Sequence, residues 1–543
     1  MKKTIAILLT LALVLTMSVT AFAADETSLT IRNADGEVVR SYNGYMLLDL
    51  SISLKQGEHH PAACNGVDHA DDCYNYAYTL NNKYSSILKD EVFSNAGSSF
   101  WGAEGKPASA ADVTDEQVLE YLASQTSDSG DTYGTLRSVA DRIYRAIQTA
   151  GLEADKTGMT GKEDQIDQGY WLIADVTDLT GENESNSLVL LDTKGENSIT
   201  VAPKTAISTV EKQVKDIEDT EDANILDNPW LDSADHDIGD TVPFKLTATL
   251  PSNAQYYKSF KLVFHDSLSA GLTLDPDSIY VLMYQSKYKA DVDTDLNDGV
   301  DVTAYFTKTT SGLTDGCTFE VGCDNVFAIH GVTKETAFVV YYEAQLNDAA
   351  AIGAAGNPNE VYLEFSNDPY SDGTGETAKD KVLVFTYQLT VNKTDSHGHA
   401  LSGAGFTLYK KAIDGQFVQI GQELKGEAMT TFTWTGLDDG DYKLVETTVP
   451  EGYNVMADIL FSISATHSEI ADEPQLISLD GGQMGTGEVS TGLITRDVVN
   501  NTGTVLPETG AEGTVMLITG SMVLVMLAVV FLITRKKMSV YED

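Results

Sequence analysis

Along a β-strand alternate side chains share a face, so the parity of a polar residue against its apolar neighbours tells whether it points inward. In the run Phe385, Tyr387, Leu389, Val391 the same parity arrives at Lys393. Tyr442 and Leu444 share theirs with Glu446, and Val498 shares its own with Asn500. An earlier stretch repeats the arrangement: Val210 and Val214 flank Lys212, Leu262 and Phe264 lead to Asp266, and Asn359 opens the series Val361, Leu363, Phe365. Each region offers one amine, one carboxyl and one carboxamide on separate strands. Read singly, each is equally well a strand-end residue turned to solvent, because Lys, Asp and Glu are seldom buried. Two complete sets are harder to dismiss. The nearest rivals are Lys215, on the opposite parity to Lys212, and Asn501, which adjoins Asn500.

Burial supplies the chemistry for such a trio. An apolar core disfavours charge, lowering the pKa of a lysine and raising that of an acid, so a neutral amine can face a protonated carboxyl. The amine can attack the carboxamide carbon while the acid hydrogen-bonds its oxygen and shuttles a proton, with ammonia as leaving group. The product is an intramolecular isopeptide bond, which removes the buried charge pair and ties the first strand of a domain to its last.

These side chains require strands to hold them. The chain has 543 residues and a formal net charge of −46, which argues against a nucleic-acid partner. Hydrophobic residues make up 42%, enough for packed cores. Short apolar-periodic runs alternate with Gly, Asp, Asn and Ser turns, as in Val242, Phe244, Leu246, Ala248 and Leu250, the pattern of antiparallel β-sandwiches. Helical spacing occurs over Asp115 to Leu152, read as insertions in the first domain. Polar turn residues interrupt strand-like runs near Pro203 to Ser208 and Ser371 to Asp380. The expected fold is mainly β: tandem Ig-like sandwiches over 24–207, 208–388 and 389–503.

Both ends read as addresses. Residues 1–23 have a charged start, an apolar stretch and Ala21-Phe22-Ala23, the order of a secretory signal peptide. Near the other end, residues 515–533 form an uncharged stretch long enough for a transmembrane helix, followed by Arg535-Lys536-Lys537. Just before it stands Leu506-Pro507-Glu508-Thr509-Gly510. This three-part arrangement over 504–543 resembles the LPxTG sorting signal of Gram-positive surface proteins. The resemblance implies that a sortase cysteine attacks the Thr509 carbonyl, making this chain the substrate.

Tyr442-Lys443-Leu444-Val445-Glu446-Thr447-Thr448-Val449-Pro450-Glu451-Gly452-Tyr453 resembles the E-box of Gram-positive pilins, and Val391-Asn392-Lys393-Thr394-Asp395 a Cna B-type repeat. That resemblance pairs Lys393 with Asn500 and makes Glu446 the catalytic acid. The region holding Val210-Glu211-Lys212, His265-Asp266-Ser267-Leu268 and Asn359 resembles a Cna A-type domain, which pairs Lys212 with Asn359 and uses Asp266. In Ile199-Thr200-Val201-Ala202-Pro203-Lys204-Thr205 the apolar parity leaves Lys204 outside. Backbone pilins keep a Tyr-Pro-Lys-Asn lysine at this junction, although Ala202 and Thr205 replace its Tyr and Asn here. The resemblance implies that the Lys204 amine resolves the thioester formed at Thr509 of a neighbouring subunit.

The implied protein is a sortase-assembled backbone pilin: a structural subunit rather than an enzyme, linked head to tail to identical copies and anchored in the cell wall. Its implied partners are a pilin-class sortase, accessory pilins, peptidoglycan and a host receptor. A monomeric peptidoglycan-anchored adhesin or accessory pilin is the alternative. An enzyme reading would need a convergent constellation in 24–207, for which only the region of His59, His60 and His69 gives a hint. In an exported chain Cys64 with Cys73, and Cys317 with Cys323, read first as local disulfides. A zinc site built from Cys64, Cys73 and those histidines is the lesser alternative. The run Asp291-Val292-Asp293-Thr294-Asp295 begins like a calcium loop, but Leu296 and Val302 occupy positions that need Gly and Glu. No metal or other cofactor is expected.

Overall fold

A computed structural model describes residues 26–32, 38–54, 74–102, 105–127, 134–194, 196–203, 206–217 and 230–502. The signal segment, the sorting signal with Leu506 to Gly510, the expected span, Lys204, Cys64, Cys73 and the three neighbouring histidines lie outside these residues. Among the described residues no helix is long and apolar enough to cross a membrane.

In the first unit, Gly169–Asp175 pairs antiparallel with Tyr42–Leu54 and Leu188–Asp192. Trp171 and Ile173 face one core, shared with Leu29, Ile166 and Leu191; Leu172 and Ala174 face another, beneath three helices. A strand covered on both faces reads as a continuous apolar run, which is why Tyr170 to Ile173 shows no alternation. The helices are α1 (Ser85–Asn95), α2 (Asp115–Ala123) and α3 (Thr135–Thr149). A capping box starts α2: Thr114 Oγ1 accepts from the Gln117 amide at 3.2 Å, and Gln117 Oε1 from the Thr114 amide at 2.9 Å. The expected helical stretch 115–152 is thus two helices. α1 was not expected.

The middle unit packs a sheet centred on Thr241–Thr249 and Ala337–Leu346 against one centred on Leu262–Leu268 and Asn357–Ser366. Phe244, Leu246, Phe264, Val361 and Leu363 lie in the core between them. The expected break at Ser371 to Asp380 is not a boundary. It holds the strand Thr374–Glu376 and leads into Asp380–Phe385, both paired with Asn357–Ser366. The strand opening the third unit runs Tyr387–Asp395, two residues ahead of the boundary expected at 389.

In the third unit Tyr387–Asp395 lies between Thr431–Leu437, antiparallel, and Leu493–Asn500, parallel. A five-stranded sheet that includes Gly405–Lys411 and Gly440–Thr448 covers them. The parallel pair departs from the expected antiparallel sandwich, and the first unit repeats it between Thr27–Ile31 and Ser198–Val201. When first and last strands run parallel side by side, the chain enters at one end of the unit and leaves at the other. Tension on the two ends then shears that pair.

Two buried amine, acid and carboxamide clusters

In the middle unit Lys212 stands on Thr209–Lys215 in one sheet, and Asp266 and Asn359 stand on adjacent strands of the opposing sheet. All three are fully buried. Lys212 Nζ contacts Asp266 Oδ2 and donates to the hydroxyl of Tyr342 at 2.9 Å. Tyr342 in turn donates to Asp266 Oδ1 at 3.0 Å and accepts from Asn359 Nδ2 at 2.6 Å. Phe244 stacks on the Tyr342 ring and Phe319 meets its edge, closing the site to water. Burial pulls the Lys212 pKa down against the opposing pull of Asp266, and pushes Asp266 up against that of Lys212. Both shifts favour a neutral amine beside a protonated acid. Asn359 Oδ1 is buried without a hydrogen-bond partner.

The third unit builds its cluster differently. Lys393 faces Val498 across the parallel pair, so Asn500 lies two residues farther along the neighbouring strand. Lys393 Nζ donates to the carbonyls of Val498 at 3.0 Å and Thr394 at 3.1 Å. Glu446 comes from the other sheet: its Oε1 accepts from Asn500 Nδ2 at 2.7 Å and its Oε2 from the Met456 amide at 2.9 Å. Lys393, Glu446 and Asn500 are buried. Burial lowers the Lys393 pKa, and the Glu446 charge opposes it. Asn500 Oδ1 also lacks a partner. Half a turn of this carboxamide puts Oδ1 where Nδ2 sits, facing Glu446 Oε1.

Parity thus brings together all six residues that it singled out, with Lys212 and Asn500 preferred over their rivals. Lys215 points away, its Nζ 3.7 Å from Asp295, and Asn501 is exposed. One expectation needs amending. Lys393 and Asn500 do lie on the first and last strands of their unit, but Asn359 stands on a strand followed by two more. Tyr342, missed from sequence, completes the middle cluster.

Cys317 and Cys323 are free thiols rather than a disulfide. Cys323 pairs opposite Leu262, while Phe319 pairs opposite Asp266. The two cysteines thus lie toward opposite ends of one extended stretch, which at about 3.3 Å per residue keeps the sulfurs well apart. Asp291 and Val292 end a short helix, Lys287–Val292, and Asp293 accepts from the amides of Asn297 at 3.1 Å and Asp298 at 2.7 Å, so this run is not arranged as a calcium loop. Among the described residues, Asp216 with Asp235 and His467, and Asp235 with Asp438 and Asp439, are close enough to gather round an ion. The first trio is already engaged as an ion cluster between the middle and third units.

Residues 387–474 match the family described as the SpaA prealbumin-like fold domain. The chain is 28% identical over 236 residues to the trypsin-resistant surface T6 protein of Streptococcus pyogenes, an alignment covering 40% of each protein. The chain thus spans about two fifths of the length of that curated relative. The T6 backbone pilin of serotype M6 Streptococcus pyogenes aligns over 88% of this chain and 99% of its own, at 16% identity and a TM-score of 0.46. The full-length major pilin SpaD of Corynebacterium diphtheriae aligns over 66% and 87%, at 15% identity and a TM-score of 0.40. The domain match places a SpaA-type prealbumin-like fold domain at the third unit, and over 236 residues the chain is similar to the T6 surface protein.

Proposed function

We propose that this chain is the structural shaft subunit of a covalent surface pilus. The observation that carries the proposal is that two consecutive sandwiches each bury an amine, an acid and a carboxamide away from water. In each, the neutral lysine attacks the asparagine Cγ, the C–Nδ2 bond breaks, and ammonia leaves with a proton passed from the amine by Asp266 or Glu446. The middle unit acts as a Cna A-type domain joining Lys212 to Asn359, and the third as a Cna B-type domain joining Lys393 to Asn500. Tension entering at Tyr387 crosses a covalent bond near the far end of the parallel pair instead of shearing it. The chain is not an enzyme beyond this self-linkage.

Export through the signal segment and retention by residues 515–533 present the sorting motif to a membrane-bound, pilin-class sortase. Its cysteine attacks the Thr509 carbonyl carbon, the Thr509–Gly510 bond breaks, and the Gly510 nitrogen leaves as an amine. Lys204 Nζ of the next subunit displaces the thiol, giving up a proton and forming an amide, so copies join head to tail and the completed fibre passes to peptidoglycan. Coexpression of Lys204→Ala with the cognate sortase is the test: loss of the high-mass ladder is expected, and a surviving ladder overturns Lys204 as the linkage site.

A further inference from the structure

Asp266 faces the core from Leu262–Leu268, so its neighbour His265 faces outward from the same strand. On that outer face Glu320 stands opposite His265 from Phe319–Cys323, and Tyr362 from Asn357–Ser366, one row across three strands. His265 Nδ1 lies 2.8 Å from Asp315 Oδ2 and 3.4 Å from Glu320 Oε1. Cys317 follows Asp315 by two residues, and one ligand atom from each of His265, Asp315 and Cys317 lies within 4.8 Å of the other two. An imidazole, a thiol and a carboxylate form the mixed N, S and O donor set that zinc takes, with ligand atoms about 3.3–3.8 Å apart once bound.

We propose that His265 Nδ1, the Asp315 carboxylate and the Cys317 thiolate bind a zinc ion, with Glu320 at the fourth position. The residues behind these donors hold each of them in place. Tyr362 stacks on the imidazole at 4.4 Å and 8°, and its hydroxyl donates to Asp315 Oδ2 at 2.9 Å. The Cys317 amide donates to Asp315 Oδ1 at 3.0 Å, and Ser267 Oγ donates to the Cys317 sulfur at 3.5 Å. His265 Nε2 is buried without a hydrogen bond, 3.8 Å from Glu364 Oε2, which Lys261 holds at 2.7 Å. With Nδ1 on a metal, Nε2 carries the ring proton, and an approach of about 1 Å lets it donate to Glu364. That is the carboxylate behind a ligating histidine that fixes its tautomer and ring orientation. Asp315, Glu320 and Glu364 crowd one imidazole, a repulsion that a divalent cation relieves. The Cys317 thiol gives up its proton to solvent on binding. The ion then pins the loop that ends at Cys317 to the strand carrying Asp266.

The test titrates Co²⁺, as a spectroscopic stand-in for zinc, into the full-length chain in detergent after stripping with a chelator, which leaves Cys317 a free thiol. Cys64→Ser and Cys73→Ser are present throughout, so that those cysteines take no metal. One equivalent should bind with a thiolate-to-cobalt absorption band and the intense visible bands of a tetrahedral site, and Zn²⁺ should displace it. Cys317→Ser should remove the thiolate band and weaken zinc binding by at least about tenfold. Glu364→Gln leaves every ligand in place, so the band should persist while zinc affinity falls about tenfold to a hundredfold. Failure of either ion to bind overturns the proposal. So does a cobalt spectrum without the thiolate band, or a Cys317→Ser chain that matches its parent in spectrum and affinity. An affinity unchanged by Glu364→Gln overturns the assignment of Nδ1 as the ligating nitrogen.

Discussion

Tyr342 accepts a hydrogen bond from Asn359 at 2.6 Å, in the middle of the route by which the Lys212 amine must reach the carboxamide. Its hydroxyl takes one bond from the amine, takes one from the leaving nitrogen and gives one to Asp266, which uses every site a hydroxyl has. That arrangement lets it take a proton from the attacking amine while giving its own to Asp266.

The intact mass of the wild-type chain should therefore fall short by two ammonia masses, with crosslinked tryptic peptides mapping to Lys212 with Asn359 and Lys393 with Asn500. Tyr342→Phe keeps the ring between Phe244 and Phe319 and should fold, but slow the first crosslink by about tenfold to a hundredfold, within the usual contribution of a positioned proton-transfer group. Asp266→Asn should abolish it. A Phe variant that crosslinks as fast as wild type would leave Tyr342 a packing residue.

Glu446→Gln should remove only the second ammonia deficit, because the two clusters share no residue. Without its crosslink, the third unit regains the unfolded-state freedom of a loop of about 100 residues, worth about 4–5 kcal/mol by the chain-entropy relation. Thermal unfolding and trypsin sensitivity of the third unit measure this. An unchanged midpoint alongside a lost crosslink would mean that the bond resists force without adding equilibrium stability.

The clusters were legible because their strands alternate. Lys393 follows Leu389 and Val391 on one face of Tyr387–Asp395, and Asn359 precedes Val361 and Leu363 in a strand that alternates without a break. Tyr342 was not legible. Its strand, Ala337–Leu346, begins with four consecutive buried residues because both faces are covered, so parity there carries no information. α1 hides for another reason: its buried residues, Ile87, Leu88, Glu91 and Val92, include a glutamate, which breaks the apolar helical period. The parallel pairing of first and last strands depends on contacts far apart in the chain, which no local period records. At Ser371 to Asp380 turn residues looked like a linker, yet the Gly181 amide bonds the Thr374 carbonyl at 2.9 Å and the Glu376 amide bonds that of Glu182 at 3.3 Å, so the turn docks the first unit on the middle one.

Cys317 and Cys323 should each titrate as a free thiol, and reductant should leave the melting temperature of the middle unit unchanged. Burial, with Asp315 adding to it, pushes the Cys317 pKa up to about 11. At neutral pH it holds almost no thiolate, so alkylation in the native state should be slow and should quicken on unfolding. Mass spectrometry after native and denatured alkylation reads both outcomes. A reductant-sensitive melt would contradict the separation of the two sulfurs.

His467 joins the third unit to the middle one. Its Nε2 lies 3.6 Å from both Asp216 and Asp235, and its Nδ1 lies 2.8 Å from Ser233 Oγ. Burial pulls its pKa down, but the two carboxylates outweigh burial and hold it up to about 10. A folded pKa above the unfolded value of about 6.5 gives a contribution that is complete below about pH 6.5 and fades as pH rises toward 10. Its size is about 2–4 kcal/mol, given the partial burial of the pair. The Asp232 amide, bonded to the Glu469 carbonyl at 2.9 Å across the same junction, should lose hydrogen-exchange protection through that window once intrinsic exchange is corrected for. His467→Gln should be less protected at pH 6 and show little further loss by pH 10. Equal protection of wild type and variant at pH 6 would show that the junction is held by the neighbouring Lys410 contacts to Asp237 and Asp438 instead.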